Sequence, residues 1–279
     1  DPMPVLIRIR RFAIALALVV IGAPALACEG LPVPPGASAL GYDKIVIDLC
    51  PKVSDISMAG RGSASALYNS VWWRKTPPVA SQYSDGPNGV LRLHLGATVA
   101  TVPVSMTRGL LPLLSGAHGF YVEFEVSLSD NHKDHWPAVW LLPIEHNGRK
   151  DDSYPPDPRG YERWLEIDVD EGGFSPGPKG TAIAWEGIWP NYKSTQSLPN
   201  LHNTFVDRTQ IHRFGAGFDP RKLEITFWFD GRVQYVAGGD SVPEISRQQN
   251  FYIIMNAQSH GANVSYTMEI LRVRAFEPE

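Results

Sequence analysis

Residues 164–171, with the sequence WLEIDVDE, constrain this chain more than any other stretch, because they place four acidic side chains on one predicted β-strand. The side chains of a strand alternate between its two faces. The even-numbered residues, among them Trp164, Glu166, Asp168 and Asp170, therefore share one face. The odd-numbered residues share an apolar face that ends in Glu171. An unpaired carboxylate under a sheet is costly, so simple alternation cannot hold to the end of this strand.

One extra residue in the strand, a β-bulge near Val169 and Asp170, would remove this conflict. The bulge would turn Glu171 to the face of Glu166 and Asp168. Three carboxylates would then line a hydrated face of a sheet whose other face is apolar. Like charges in a row repel, so no structural purpose needs this arrangement. Acid–base chemistry does need it, because crowding separates the pKa values of neighbouring carboxyl groups.

The rest of the chain is typical of a protein made of short strands and turns. Apolar residues alternate at 120–128 and at 222–229, and Asp230-Gly231 is a hairpin signal. The 25 glycines and 24 prolines among 279 residues also favour short elements. No internal repeat, domain break or long amphipathic helix follows residue 28. We therefore predict an all-β fold, an antiparallel β-jelly-roll sandwich formed by residues 44–279.

The N-terminal part of the chain has the pattern of a secretory signal peptide. Three arginines precede an apolar run at residues 12–21, and Ala25-Leu26-Ala27 is a small-x-small cleavage pattern. We predict a signal peptide over residues 1–27, with a cloning remnant before Met3, and a secreted or periplasmic protein without membrane contact after cleavage. An uncleaved anchor is the alternative.

A Pro- and Gly-rich stretch at residues 28–43 is predicted to form a linker or extended arm. It begins with Cys28, and Cys50 is the only other cysteine of the chain. In an oxidising compartment two cysteines predict one disulfide, Cys28–Cys50. A pair of free thiols and a lipid on Cys28 remain alternatives.

Composition bears on the ligands and partners of the protein. The net charge of −4 and the absence of a basic patch argue against a nucleic-acid partner. The eight histidines show no metal-ligand spacing, so we expect no catalytic metal and no required cofactor, and no motif specifies a structural Ca²⁺. Eight tryptophans suit a carbohydrate partner, since an indole offers an apolar face and one polar edge, although most are expected in the core. We expect a monomer.

The carboxylate strand and several runs around it resemble glycoside hydrolase family 16. Residues 166–171 fit the Glu-x-Asp-x-x-Glu signature of that family in its bulged, laminarinase-like form, and residues 136–143, WPAVWLLP, resemble its Trp-Pro-Ala-x-Trp-Leu-Leu-Pro run. Further strands resemble the family in the same order; they lie at residues 119–125, 212–215, 251–256 and 268–273. The family implies a jelly roll with a sugar-binding groove on its concave face.

The resemblance also implies the roles of the three carboxylates. Glu166 would be the nucleophile of a retaining glycosidase, Glu171 the general acid/base, and Asp168 a group that influences the charge of Glu166. The implied substrate is a β-linked polysaccharide, with β-1,3- or β-1,3-1,4-glucan as the first expectation and agar- or carrageenan-type galactans as others. A non-catalytic, lectin-like jelly roll and a transglycosylase with the same residues remain alternatives.

Tryptophans supply the remaining candidates for the sugar-binding groove. Trp136 and Trp140 match family positions on the donor side of the cleft, and Trp164 shares the predicted face of Glu166. Trp185 and Trp189 follow in a region where many relatives carry a histidine. A core role is the alternative for these side chains. The long polar loop at residues 144–163 leads into the carboxylate strand and is predicted to form a cleft wall.

Overall fold

The computed structural model describes residues 30–172, 178–197, 205–261 and 264–279. The predicted signal peptide and Cys28 lie outside the described residues, so its cleavage and the Cys28–Cys50 disulfide stay predictions. Two large β-sheets pack face to face in the described part of the chain, and this confirms the jelly-roll sandwich. No helix among these residues is long and apolar enough to cross a membrane.

One sheet, here called the back sheet, has eight strands in the described residues. Every pair of neighbouring strands in it is antiparallel. In spatial order its strands are β15 (Arg232–Ala237), β14 (Glu224–Phe229), β13 (His212–Asp219), β8 (Phe120–Leu128), β17 (Thr267–Glu277), β5 (Leu91–His94) and β4 (Tyr83–Asp85), with β1 (Lys44–Leu49) paired to β17.

The other sheet, here called the front sheet, has nine strands in the same described ranges and carries the acidic strand near its middle. It is antiparallel except for one parallel pair of two-residue strands at one end of the sheet. In spatial order its strands are β12 (Asn191–Ser197), β11 (Thr181–Ile188), β10 (Glu162–Glu171), β9 (His135–Pro143), β16 (Asn250–Ser259), β6 (Thr98–Ala100), β3 (Leu67–Tyr68) and β2 (Ile56–Ser57), with β7 (Leu114–Ser115) paired to β16.

The main core lies between the two sheets and follows the predicted alternation. Leu165, Ile167 and Val169 of β10 are almost fully buried there, in one cluster with Val122 and Phe124 of β8. Burying such side chains supplies the main favourable free energy of folding, at about 25 cal/mol per Å² of apolar surface. The odd-numbered face of β10 therefore anchors the acidic strand in the core and leaves its other face for a site.

The N-terminal arm is not fully extended, which corrects part of the prediction for residues 28–43. It contains the helix α1, Pro35–Leu40, which ends at Gly41 in the left-handed conformation, with φ of 71°. A Cβ on Gly36 would lie 2.2 Å from the ring of Tyr121, so only glycine lets this helix lie against the back sheet. The helix of the arm thus packs on the back sheet.

Candidate active site

The bulge predicted in the acidic strand is present, and it adds Val169 to the ladder between β10 and β9. Asp168 pairs with Trp140, but the next pair is Asp170 with Val139, so two residues of β10 span one step of β9. The bulge places Glu171 on the face of Glu166 and Asp168, as predicted. It also corrects simple alternation for Asp170, whose side chain is buried opposite Val139 and pairs with Arg208.

Glu166 lies within a hydrogen-bonded group in the front sheet. Trp185 of β11 donates its Nε1–H to Oε2 of Glu166 at 2.9 Å, and a hydrogen bond links Asp168 to the same carboxylate. Burial, the largest cause, and the charge of Glu171 together raise the pKa of Glu166 to about 7, and the hydrogen bonds from Trp185 and Asp168 oppose this rise. Glu166 is therefore held near the boundary between its ionised and protonated forms at neutral pH.

Asp168 has a second carboxyl group whose pKa is raised. Its side chain is buried, and burial together with the charges of Glu166 and Glu171 holds the pKa of Asp168 well above its usual range, while Lys179 opposes the shift. The hydrogen bond between the two carboxyl groups raises the pKa of Asp168 and lowers the pKa of Glu166, so it favours a proton on Asp168. A protonated neighbour stabilises the ionised form of Glu166, which a nucleophile requires.

Glu171 has its own indole donor on the other neighbouring strand. Trp136 of β9 donates its Nε1–H to Oε1 of Glu171 at 2.7 Å, and Nζ of Lys179 lies 3.6 Å from Oε2. His260 stacks on the indole of Trp136, with ring centroids 4.0 Å apart and planes 7° from parallel. Trp136 thus holds one carboxylate oxygen of Glu171, and Lys179 lies beside the other.

A cavity of about 720 Å³ opens beside Glu166 on the front sheet. This volume is typical of pockets for small ligands, and aromatic rings form most of its wall. Its lining residues are Trp72, Trp73, Trp140, Leu142, His146, Asn147, Gly148, Lys150, Glu162, Trp164, Glu166, Trp185, Trp189 and Tyr192. Five residues between 144 and 163 are among them, four in the loop and Glu162 at the start of β10, which confirms the prediction that this loop forms a cleft wall. Neither Glu171 nor Trp136 lines this cavity, so it lies on the Glu166 side of the site.

Four of the five predicted tryptophans line this cavity, in different ways. Trp189, in the turn between β11 and β12, is 69 % exposed and stands at the rim. Trp140 is half-buried and donates its Nε1–H to Asn256. Trp164 is only 5 % exposed, and the ring of His146 covers one of its faces at a centroid distance of 3.7 Å. Trp164 is therefore a wall of the cavity instead of the open stacking platform that its position had indicated.

Several cavity residues were missed because their positions depend on tertiary contacts. Residues 70–74 form a turn that is closed by a hydrogen bond from the Arg74 N–H to the Val71 carbonyl. Trp72 and Trp73 lie in this turn and line the cavity. The turn belongs neither to β10 nor to its neighbouring strands β9 and β11. The sequence signal that was available for this turn is the pair of tryptophans shortly before Pro77 and Pro78.

Three polar residues beside the cavity have the geometry to hold a metal ion. His146, Asp152 and Glu162 form the only such group in the described part of the chain, with their ligand atoms within 4.8 Å of one another. His146 Nδ1 is hydrogen-bonded to Asp152 at 2.8 Å, and Nζ of Lys150 lies 3.0 Å from Glu162. The ammonium of Lys150 already neutralises Glu162, and this ion pair fastens the loop that precedes β10 to the first residue of that strand.

Comparisons with known proteins agree with this fold. No model of a known protein family matches the chain, and no curated protein matches it. Among solved structures, a laminarinase from Flavobacterium sp. UMI-01 is similar at a TM-score of 0.50 and 14% identity, covering 84% of this chain and 100% of that one. A chain from a study of endo-acting O-glycanases of the human gut microbiota is similar at 0.50 and 16%, covering 76% and 88%. The chain therefore has a laminarinase-like fold, of the kind implied by its resemblance to glycoside hydrolase family 16.

Proposed function

We propose that this chain is a retaining endo-β-glycosidase that hydrolyses β-1,3- or β-1,3-1,4-linked glucan. One observation carries the proposal: Glu166 and Glu171 lie on one bulged strand, each with an indole donor from a neighbouring strand and with Asp168 between them. A lectin would need no such row of carboxylates. A retaining glycosidase needs two carboxyl groups with different charge states at the same sugar.

In the proposed mechanism the ionised carboxylate of Glu166 attacks the anomeric carbon of the donor sugar. Glu171 gives its proton to the departing glycosidic oxygen, and a covalent glycosyl-enzyme forms at Glu166. Glu171 then takes a proton from a water molecule, which attacks the same carbon and releases the product. Asp168 and Trp185 stabilise the negative charge of Glu166 before the attack and again when it leaves.

The cavity next to Glu166 suits the donor part of a polysaccharide. Glu166 bonds to the donor sugar, and the cavity extends from Glu166 away from Glu171. Its aromatic walls match the flat C–H patches of sugar rings. The similar laminarinase supports β-1,3-glucan as the first substrate to test, and the similar chain from the study of gut O-glycanases that initiate mucin breakdown adds mucin glycans to the candidates.

The remaining features of the proposal come from the sequence. We propose that the protein is secreted or periplasmic after loss of residues 1–27, and that it acts as a monomer without a cofactor on a polysaccharide. N-terminal sequencing of exported protein is expected to give a start at or near Cys28. An intact start at Met3 in that fraction would contradict the proposed cleavage.

A polysaccharide panel with product sizing tests the proposed function. The panel contains β-1,3-glucan, mixed-linkage β-glucan, agar and carrageenan, and the proteins are the wild type, Glu166→Gln and the control Glu186→Gln, whose exposed carboxylate lies outside the cavity. We expect internal cleavage of a β-glucan by the wild type and the control, and binding without cleavage by Glu166→Gln. Binding without cleavage by the wild type would indicate a lectin, and products longer than the substrate would indicate a transglycosylase.

A further inference from the structure

We infer that the buried ion pair between Asp170 and Arg208 positions Glu171 for proton transfer, an inference that rests on the proposed function. Arg208 donates two hydrogen bonds to the carboxylate of Asp170, from Nη1 to Oδ2 at 2.6 Å and from Nη2 to Oδ1 at 3.0 Å. The two side chains are only 6 % and 5 % exposed. Two parallel charge-assisted bonds fix the relative orientation of the groups as well as their distance.

The bulge explains why a charged pair lies at this point. It puts Asp170 opposite Val139, on the side of β10 that faces the core. An apolar side chain would suit this position, and an unpaired carboxylate there would be strongly destabilising. Asp170 therefore needs a cation from within the molecule, and Arg208 supplies it.

Arg208 is itself anchored to the back sheet. Its backbone N–H donates to Oδ1 of Asn131 at 2.8 Å, and its carbonyl accepts the N–H of Leu128 at 2.7 Å. Its guanidinium lies over the ring of Phe214 in β13, 5.5 Å from the centroid. The ion pair thus ties the bulge of the front sheet to a fixed point on the back sheet.

The same carboxylate holds the backbone around Glu171. Oδ1 of Asp170 accepts the N–H of Lys179 at 3.1 Å, and the carbonyl of Lys179 accepts the N–H of Glu171 at 2.9 Å. The ammonium of Lys179 then reaches Oε2 of Glu171 at 3.6 Å. A chain of contacts therefore runs from Arg208 through Asp170 and Lys179 to Glu171.

Loss of the pair is expected to impair the proton-donating step more than the nucleophilic one. A displacement of a reacting group by about 1 Å can cost about 100-fold in rate. A natural glucan needs the proton of Glu171 because its leaving group is a sugar alcohol. An aryl β-glycoside with a good leaving group forms the glycosyl-enzyme without that proton. The ratio of the two activities therefore reports on the position of Glu171.

The test compares three variants with the wild type on β-glucan oligosaccharide and on a dinitrophenyl β-glycoside. Asp170→Asn removes the charge with little change of shape. The double variant Asp170→Leu, Arg208→Leu replaces the pair by apolar groups, which commonly keeps a buried site stable. Glu123→Gln is the matched control, because Glu123 and Arg274 form an equally buried pair at 2.6 Å in the back sheet.

The rate of glycosyl-enzyme formation is measured in the pre-steady state. For both Asp170 variants we expect this rate to fall about 100-fold with the oligosaccharide and less than threefold with the aryl glycoside. Thermal unfolding is used to check that each variant is folded. If Asp170→Asn is not folded, the inference is judged on the double variant. Glu123→Gln is expected to change the activities on the oligosaccharide and on the aryl glycoside by the same factor. An equal loss on both substrates for the Asp170 variants would overturn the inference.

Glu171→Ala separates this inference from the proposed function. It is expected to show the same dependence on the leaving group more strongly. If Glu171→Ala loses both activities equally, the role of Glu171 as acid is wrong and the proposed function fails. If Glu171→Ala shows the dependence and both Asp170 variants do not, only the positioning role of the ion pair fails.

Discussion

The indole N–H of Trp185 on β11 donates a hydrogen bond to Oε2 of Glu166 on β10, at 2.9 Å. The bond favours the ionised carboxylate and so opposes the effect of burial, which raises the pKa of Glu166. The hydrogen bond therefore favours the charge that the proposed nucleophile needs, in an aromatic cavity that disfavours this charge. The opposing effects of burial and of this hydrogen bond on the pKa of Glu166 are expected to set the pH dependence of activity.

The wild-type enzyme is expected to lose activity as the pH falls through about 7. Burial raises the pKa of Glu166 to about 7, so the ionised form predominates above that pH and is lost below it. Since attack needs the ionised form, kcat/KM should be constant on the alkaline side of this limb and fall tenfold per pH unit on the acidic side. The measurement is a pH profile of kcat/KM on an aryl β-glycoside. An acidic limb near pH 4 would contradict the predicted ionisation of Glu166.

Trp185→Phe should move this acidic limb to higher pH. The variant removes a hydrogen bond to the charged form, so the pKa of Glu166 rises. A hydrogen bond to a charged group is worth about 1.5 kcal/mol, which corresponds to about one pH unit. Trp189→Phe is the control, because Trp189 lines the cavity without bonding to Glu166. A limb that shifts equally in both variants would show that the hydrogen bond is not the cause.

Trp189→Ala should weaken substrate binding and leave the chemical step unchanged. The exposed indole stands at the cavity rim, where it can stack on a sugar in the ground state and in the transition state alike. Loss of about 1.4 kcal/mol of stacking raises KM about tenfold with kcat retained. Phe205→Ala is the matched control, since Phe205 is 67 % exposed and does not line the cavity. A fall in kcat for Trp189→Ala with unchanged KM would contradict a binding role.

Local patterns in the sequence predicted the parts of the site that lie on a single strand. The alternation of β10 and the misplaced charge at its end together indicated the bulge, because the apolar residues Leu165 and Ile167 could face only the core. The same reasoning gave the shared face of Glu166, Asp168 and Glu171. These conclusions needed no knowledge of where other strands lie.

The rest of the site depends on contacts between distant segments, which a local pattern does not contain. Arg208 lies 38 residues from Asp170, and no periodicity relates the two. His146 covers a face of Trp164 only because a loop folds back over β10. Trp72 lies in a turn although aromatic and β-branched residues, which favour strands, surround it in the sequence, so only the fold reveals its position.

The central claim, the division of labour between Glu166 and Glu171, is tested most directly by azide rescue on an aryl β-glycoside, with the product anomer assigned by NMR. Glu171→Ala is expected to form the glycosyl-enzyme and to give a β-glycosyl azide, because azide replaces the activated water on the same face. Glu166→Ala is expected to give an α-glycosyl azide, because azide then displaces the aryl group directly with inversion. An α-azide from Glu171→Ala, or wild-type turnover by Glu166→Ala, would contradict the assignment of roles.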